Sequence, residues 1–78
     1  MKKCNLEILK IIEKANSGQP VGIITINNRL SDDCFDELIT KSRKTLSAIL
    51  NDLIETEYIL NCGDRIGFCL TEKGKTYL

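Results

Sequence analysis

Residues 31–59 constrain the fold more than any other part of the sequence, because their pattern predicts two helices joined by a tight turn. Ser31 is a good N-cap for the first of these helices, which should end near Thr40. The second is predicted to begin at Ser42. Its apolar residues recur at the three-and-four spacing of one buried helix face, and they are Leu46, Ile49, Leu50, Leu53 and Ile54.

Charge along the second of these helices opposes the helix dipole. Arg43 and Lys44 fall in its predicted first turn, and the helical spacing predicts that both are exposed on the face opposite the apolar residues. Asp52, Glu55 and Glu57 fall in its second half. The dipole favours the reverse order by ~0.3–1 kcal/mol for each charge. Such an arrangement favours a helix whose N-terminal end approaches the phosphates and base edges of a nucleic acid.

The remaining elements are predicted from apolar spacing and turn residues. Residues 5–16 show helical spacing and end before a Ser-Gly-Gln-Pro turn. Residues 21–26 are rich in β-branched side chains, which predicts a strand. Residues 58–61 and 66–70 predict two strands of a hairpin with its turn at 62–65. Thr71 is suited to cap a short final helix.

Length and charge limit the classes of protein to consider. A chain of 78 residues predicts a single domain, spanning 1–78. Lys plus Arg and Asp plus Glu each number 11, so the net charge is zero. A non-specific polyanion binder is usually strongly basic, and the neutral charge therefore counts against one. It leaves room for a specific binder whose charges are segregated by face.

The sequence also bears on where the protein acts. It has no run of about 18 apolar residues, which predicts no membrane span. The N-terminal residues lack the apolar run and the cleavage site of a secretory signal. We therefore expect a cytoplasmic protein.

The four cysteines have no metal-binding or redox spacing. None of Cys4, Cys34, Cys62 and Cys69 forms a C-x-x-C pair, and the chain has no histidine. In a reducing compartment the default is free thiols. We therefore expect four reduced cysteines and no bound metal. Cys62 and Cys69 would be the best-placed pair for a disulfide, because both lie in the predicted hairpin.

Three segments carry a resemblance to a known family. Residues 42–47, Ser-Arg-Lys-Thr-Leu-Ser, are similar to the opening of a recognition helix in winged helix-turn-helix domains of prokaryotic transcription regulators. Residues 51–60 resemble that family's helix end running into the first wing strand, and residues 68–78 resemble its exit from the wing. The resemblance covers most of the chain. It implies an α+β fold of three helices, with a small antiparallel sheet forming the wing.

The same resemblance implies sequence-specific binding of duplex DNA by a small transcription regulator. The recognition helix, at about 42–57, would enter the major groove, and the wing, at about 58–70, would meet the flanking groove or backbone. Arg and Lys can reach guanine O6 and N7, Asn can pair with adenine, and Ser hydroxyls suit phosphate. The residues implied to contact DNA are Ser42, Arg43, Lys44, Ser47, Asn51 and, at the wing tip, Arg65.

The sequence departs from the family pattern in its turns. Thr40 stands where the family usually has Gly, and Lys41 stands where it usually has an apolar residue. Residues 21–29 make a longer link than usual, and the wing tip has Arg65 as its one basic residue. The chain stops at Leu78 without the long C-terminal helix by which many dimeric relatives pair.

A homodimer is expected through the first helix or the following strand. The first helix has an apolar face broader than one contact needs, formed by Leu6, Ile8, Leu9, Ile11 and Ile12. That face either lies inside the core of a small domain or meets a second subunit. Two recognition helices would then reach half-sites one DNA turn apart, about 34 Å.

Other functions remain as alternatives. A winged-helix module that binds protein instead of DNA is favoured by the zero net charge. A thiol-switched regulator would need an exposed cysteine of low pKa. An enzyme is not expected, because the sequence has no histidine and no nucleophile-elbow or phosphate-loop glycine pattern. No cofactor or small-molecule ligand is indicated.

Overall fold

The computed structural model describes residues 2–78 as an α+β fold. In this part of the chain, five helices accompany a two-stranded antiparallel sheet. The third helix continues into a π-helical segment, Asp36–Thr40. The elements are α1 (Lys3–Lys14), α2 (Ile23–Arg29), α3 (Asp32–Phe35), α4 (Leu46–Glu55), β1 (Ile59–Asn61), β2 (Phe68–Leu70) and α5 (Glu72–Lys75).

One hydrophobic core joins the helices to the first strand. Its fully buried members come from α1, α2, α4 and β1. Burying an Ile or Leu side chain completely contributes roughly 1.5–3 kcal/mol, so these few residues dominate the stability of the fold. They are Ile8, Leu9, Ile26, Leu50 and Ile59, with Val21 nearly as deep.

Helix α1 confirms the predicted first helix but begins two residues earlier. It runs over Lys3–Lys14, and its N-cap is Lys2, which gives no side-chain hydrogen bond. Cys4 is buried in its first turn. Cys4, which precedes the predicted start of the helix, is therefore part of the hydrophobic core.

The predicted strand over residues 21–26 is wrong. Val21 alone pairs with the sheet, exchanging two backbone hydrogen bonds of 2.9 Å with Phe68. From Ile23 the chain is helical. Ile24 and Ile26 would share one side of a strand, yet Ile24 is 74% exposed and Ile26 is fully buried. Packing has overridden the β-propensity of this segment.

Helix α3 begins at the predicted cap. The Ser31 hydroxyl accepts a hydrogen bond from the N–H of Cys34 at 3.2 Å. The same residue attaches α3 to α1, because its N–H and hydroxyl donate to the two carboxylate oxygens of Glu7 at 2.8 and 3.1 Å. The π-helical segment then ends at Thr40, where the sequence pattern placed the end of this helix.

The N-cap of helix α4 lies three residues later than predicted. It is Thr45, whose Oγ1 accepts from the N–H of Ala48 at 3.1 Å. Ser42, the predicted cap, instead donates its hydroxyl proton to the carbonyl of Leu38. Arg43 has a left-handed φ of 57°, which interrupts the helical geometry between the segment that ends at Thr40 and α4. Residues 41–45 therefore form the turn between the helices.

The hairpin is confirmed with shorter strands. The register pairs Ile59 with Leu70, Leu60 with Cys69 and Asn61 with Phe68. Gly67 has a φ of 119°, and a Cβ there would lie 2.6 Å from the Val21 carbonyl carbon. Only glycine lets the hairpin dock this closely beside Val21. The final helix starts as predicted, with the Thr71 hydroxyl accepting from the N–H of Gly74.

The expectation of four free thiols is wrong. Cys4 and Cys34 form a disulfide between α1 and α3, with their Cα atoms 5.3 Å apart. Cys62 and Cys69 form a second disulfide across the hairpin. The C-x-x-C spacing test did not predict the Cys4–Cys34 disulfide, because these cysteines are 30 residues apart and meet only when α1 and α3 pack together.

Candidate functional site

The turn over residues 41–45 places two cations ahead of α4. Arg43 and Lys44 are both exposed, as predicted, but they precede the helix. The first turn of α4 contains no charged residue. The predicted conflict between these two cations and the helix dipole depended on a helix start at Ser42, which is wrong; Arg43 and Lys44 belong to the turn before α4.

The N-terminal end of α4 has unpaired backbone donors. The N–H of Ala48 is capped by Thr45, and the N–H of Ile49 donates to the Thr45 carbonyl at 3.2 Å. Within residues 2–78, the N–H groups of Leu46 and Ser47 have no hydrogen-bond acceptor. Free N–H groups at a helix N-terminus suit an anionic oxygen.

One exposed stripe of α4 combines polar and acidic side chains. Ser47, Asn51 and Glu55 are spaced four apart and are all exposed, so they lie along one face. Within residues 2–78 the Asn51 amide makes no hydrogen bond, which leaves its donor and its acceptor available. The hydroxyl lies in the first turn of α4, the amide lies midway along the helix, and the carboxylate lies in the last turn.

Of the three cations in the turn, Lys41 and Lys44 form ion pairs and Arg43 forms none with residues 2–78. Lys44 Nζ lies 3.2 Å from Asp52 Oδ2, and Lys41 Nζ lies 3.4 Å from Asp36 Oδ2. All four side chains are half-exposed or more, so each pair contributes only about 0–1 kcal/mol. In the described part of the chain Arg43 has no ion-pair partner.

A groove of about 380 Å³ runs beside the turn and α4. Ser42, Lys44 and Asp52 line it, together with Lys2 at the start of α1 and Tyr58.

Two residues of this region were not predicted from the sequence. Lys2 reaches this end of α4 only through the packing of α1. Thr45 is the N-cap of α4, but the preference for Ser or Thr at an N-cap is met equally well by Ser42.

Arg65 lies apart from these residues, at the tip of the hairpin. It is exposed and has a left-handed φ of 64°. Arg65 lines a different open groove of about 380 Å³, which Gly22, Ile23 and Ile24 also line. The structure thus places Ser42, Arg43, Lys44 and Ser47 at the N-terminal end of α4, with Asn51 midway along the exposed face of the helix, and leaves Arg65 on the separate hairpin tip.

Residues 2–78 contain no cluster of three or more His, Cys, Asp or Glu residues arranged to hold a metal ion. No helix in the same range is both long enough and apolar enough to cross a bilayer.

Comparison with family models, with curated proteins and with solved structures gives no match to this chain. The function therefore has to be argued from the geometry of the site.

Proposed function

We propose that the chain is a winged helix-turn-helix domain of a small transcription regulator that binds duplex DNA sequence-specifically. In this assignment α3, the turn over residues 41–45 and α4 form the helix-turn-helix, and the β1–β2 hairpin is the wing. Val21 extends the small sheet by a single β-bridge through its two hydrogen bonds to Phe68, in place of a third strand.

The observation that carries the proposal is the exposed N-terminal end of α4. Its free N–H groups at Leu46 and Ser47 would donate to one phosphate, while Arg43 supplies an unpaired positive charge beside them. Lys44 would exchange its weak surface pair with Asp52 for a second phosphate. Phosphate contacts of this kind fix the position of the helix on the duplex.

Sequence would be read by the exposed polar residues of α4. Asn51 can pair bidentately with adenine, and the Ser47 hydroxyl can meet several base edges. Glu55 lies one turn beyond Asn51 and would be repelled by phosphate. The part of α4 from its N-terminal end to Asn51 would therefore enter the groove, as in helix-turn-helix proteins, with the acidic last turn directed outward.

The wing would add one contact. Arg65 projects from an exposed tip and, within residues 2–78, has no ion-pair partner. A single arginine there suits a phosphate or the edge of the minor groove. Its contribution would be smaller than that of the α4 end, where two cations and two N–H groups converge.

A protein-binding module is the second candidate, and exposed apolar side chains favour it. Ile24, Leu60 and Ile66 are 74%, 55% and 56% exposed. The net charge of zero also supports this alternative.

The homodimer stays a prediction. Ile8, Leu9 and Ile12 from the expected surface are buried in the chain's own core. Pairing would therefore use the segment after α1, where Ile23 and Ile24 are exposed. Sedimentation at micromolar concentration, with and without DNA, would measure the assembly state.

The experiment compares two charge-matched double variants. Arg43→Ala with Lys44→Ala removes the cations at the α4 end, and Lys10→Ala with Lys14→Ala removes two exposed lysines of α1. We expect the first variant to bind random duplex at low salt at least about tenfold more weakly than the wild type, and the second to bind almost normally. Fluorescence anisotropy with a labelled duplex measures both.

Equal losses in the two variants would mean that the α4 end has no special role. No salt-sensitive affinity for any duplex would support the protein-binding alternative instead.

A further inference from the structure

The two disulfides occupy opposite environments. Cys4 and Cys34 are 6% and 4% exposed and lie within the hydrophobic core. Cys62 and Cys69 are half-buried, on a hairpin whose neighbouring residues Leu60 and Ile66 are more than half exposed. The rate of thiol–disulfide exchange depends on the access of an attacking thiolate to a sulfur atom. A reductant can therefore reach the hairpin disulfide while the core disulfide stays protected.

The hairpin tip, residues 62–67, depends on its disulfide for order. Three of its residues have positive φ: Gly63 at 131°, Arg65 at 64° and Gly67 at 119°. Within residues 2–78, three hydrogen bonds hold it. Cys62 N–H donates to the Gly67 carbonyl at 2.8 Å, and Ile66 N–H donates to the Gly63 carbonyl at 3.2 Å. Gly63 N–H donates to Asn61 Oδ1 at 3.0 Å. The strands on either side have three residues each. A hairpin this short is marginal without further support.

The base of the hairpin is held independently. Phe68 exchanges two backbone hydrogen bonds with Val21, and Ile59 is fully buried. Opening the disulfide would therefore release the tip and leave the attachment to the core in place. Arg65 lies within the released segment.

We propose that Cys62 and Cys69 form a reversible thiol–disulfide switch that orders the hairpin tip and thereby sets the position of Arg65. The reductant is a dithiol, either small or carried by a protein. One thiolate of the dithiol attacks a sulfur of the pair, forming a mixed disulfide and releasing the other cysteine as a thiolate. Its second thiol then attacks the mixed disulfide and releases the second cysteine. Two electrons and two protons pass to Cys62 and Cys69, and the reductant leaves as a disulfide.

The switch has a consequence for DNA, which rests on the proposed function. When the tip is closed, Arg65 is fixed beside the duplex. When the tip is open, Arg65 is not held in place, and fixing it on binding costs conformational entropy that weakens the affinity for DNA. The reduced form should bind DNA on the order of tenfold more weakly, the size of one charge-assisted contact. The contacts at the α4 end are unaffected.

The first test follows the order of reduction in the whole chain. The oxidised protein is treated with increasing dithiothreitol, alkylated, and mapped by mass spectrometry. We expect labels at Cys62 and Cys69 at reductant concentrations that leave Cys4 and Cys34 unlabelled. In a parallel sample that is not alkylated, oxidised glutathione added after removal of the reductant should restore the pair, as it accepts the two electrons. Simultaneous labelling of all four cysteines, or earlier labelling of the core pair, would overturn the switch.

The second test measures the order of the tip. In Cys62→Ala with Cys69→Ala, amide hydrogen exchange at Cys62 (now Ala) and Ile66 should be at least about tenfold faster than in the oxidised wild type, because their hydrogen bonds would open with the tip. Exchange at Val21 and Phe68 should not change. Unchanged exchange within the tip would contradict the proposal, even if the cysteines are reduced in the expected order.

The third test separates this inference from the proposed function. DNA affinity is compared for the oxidised wild type, for the hairpin variant, and for Cys4→Ala with Cys34→Ala, which keeps the hairpin disulfide. The hairpin variant alone should lose affinity. Equal affinity of wild type and hairpin variant would overturn the effect of the switch on DNA while leaving DNA binding intact. If the oxidised wild type binds no DNA, the proposed function and the DNA effect both fail, and the first two tests still decide the switch.

Discussion

The helical part of the chain and its hairpin are stabilised in different ways. Helices α1, α2 and α4 each contribute fully buried apolar side chains to the core, among them Ile8, Ile26 and Leu50. The hairpin contributes one fully buried residue, Ile59, and exposes more than half of Leu60 and of Ile66. Side-chain burial therefore maintains the helices, whereas the hairpin depends on backbone docking, turn geometry and a covalent bond. Truncating an apolar side chain should therefore lower the free energy of unfolding much more in the helices than in the hairpin.

The largest effect is expected in the helical core. Leu50 is fully buried, and Leu50→Ala should lower the free energy of unfolding by about 2–5 kcal/mol. Leu60→Ala makes the same chemical change in the hairpin at a residue 55% exposed, and it should change stability by less than about 0.5 kcal/mol. Urea denaturation measures both. Similar losses from the two variants would remove the distinction between the regions.

The two disulfides sharpen the comparison. In the chain-entropy account, the stabilisation grows with the length of chain enclosed. The separations of 30 and 7 residues then correspond to about 3–4 and about 2 kcal/mol. Replacing Cys4 and Cys34 by Ala should therefore destabilise the chain more than replacing Cys62 and Cys69. The reverse order in thermal unfolding would show that the hairpin disulfide supports more than the hairpin.

Adding a Cβ atom at Gly67 should disturb the docking of the hairpin on Val21. Gly67→Ala places a Cβ 2.6 Å from the Val21 carbonyl carbon and forces alanine into a positive φ. It should cost about 1–3 kcal/mol. Gly22→Ala is the matched control, because a Cβ there has nothing within 4 Å and its φ is −74°. Comparable stability of both variants would mean that the close approach does not constrain the hairpin.

The smallest predicted effect identifies the start of α4. Thr45→Ala removes the cap and should cost about 0.5–2 kcal/mol. Ser42→Ala removes the hydroxyl that the sequence pattern suggested as the cap, and it should cost less. A greater cost at Ser42 would move the helix start back to the position predicted from sequence.

The sequence predicted the elements with a strong period and an obvious cap. The apolar spacing from Leu46 to Leu53 correctly identified the buried face of α4, and Ser31 and Thr71 are caps as expected. The hairpin followed from its turn residues. These features are local, so the sequence alone contains them.

Features set by tertiary packing were not predictable in the same way. The β-branched residues 23–26 became helical because Ile26 packs into the core. The Cys4–Cys34 disulfide depends on α1 meeting α3. At the candidate site, the exposure of Arg43 and Lys44 was predicted, but their position before α4 depends on a left-handed turn at Arg43 that no sequence rule indicated.

The central claim, that the N-terminal end of α4 meets DNA, is tested most directly by mapping contacts in the unmodified chain. Amide chemical shifts of the ¹⁵N-labelled oxidised protein would be followed while a duplex is added at low salt. We expect the largest changes at residues 43–47 and at Asn51, smaller changes at Arg65, and little change along α1. Changes concentrated on Ile23 and Ile24 or along α1, or no changes at all, would contradict the claim.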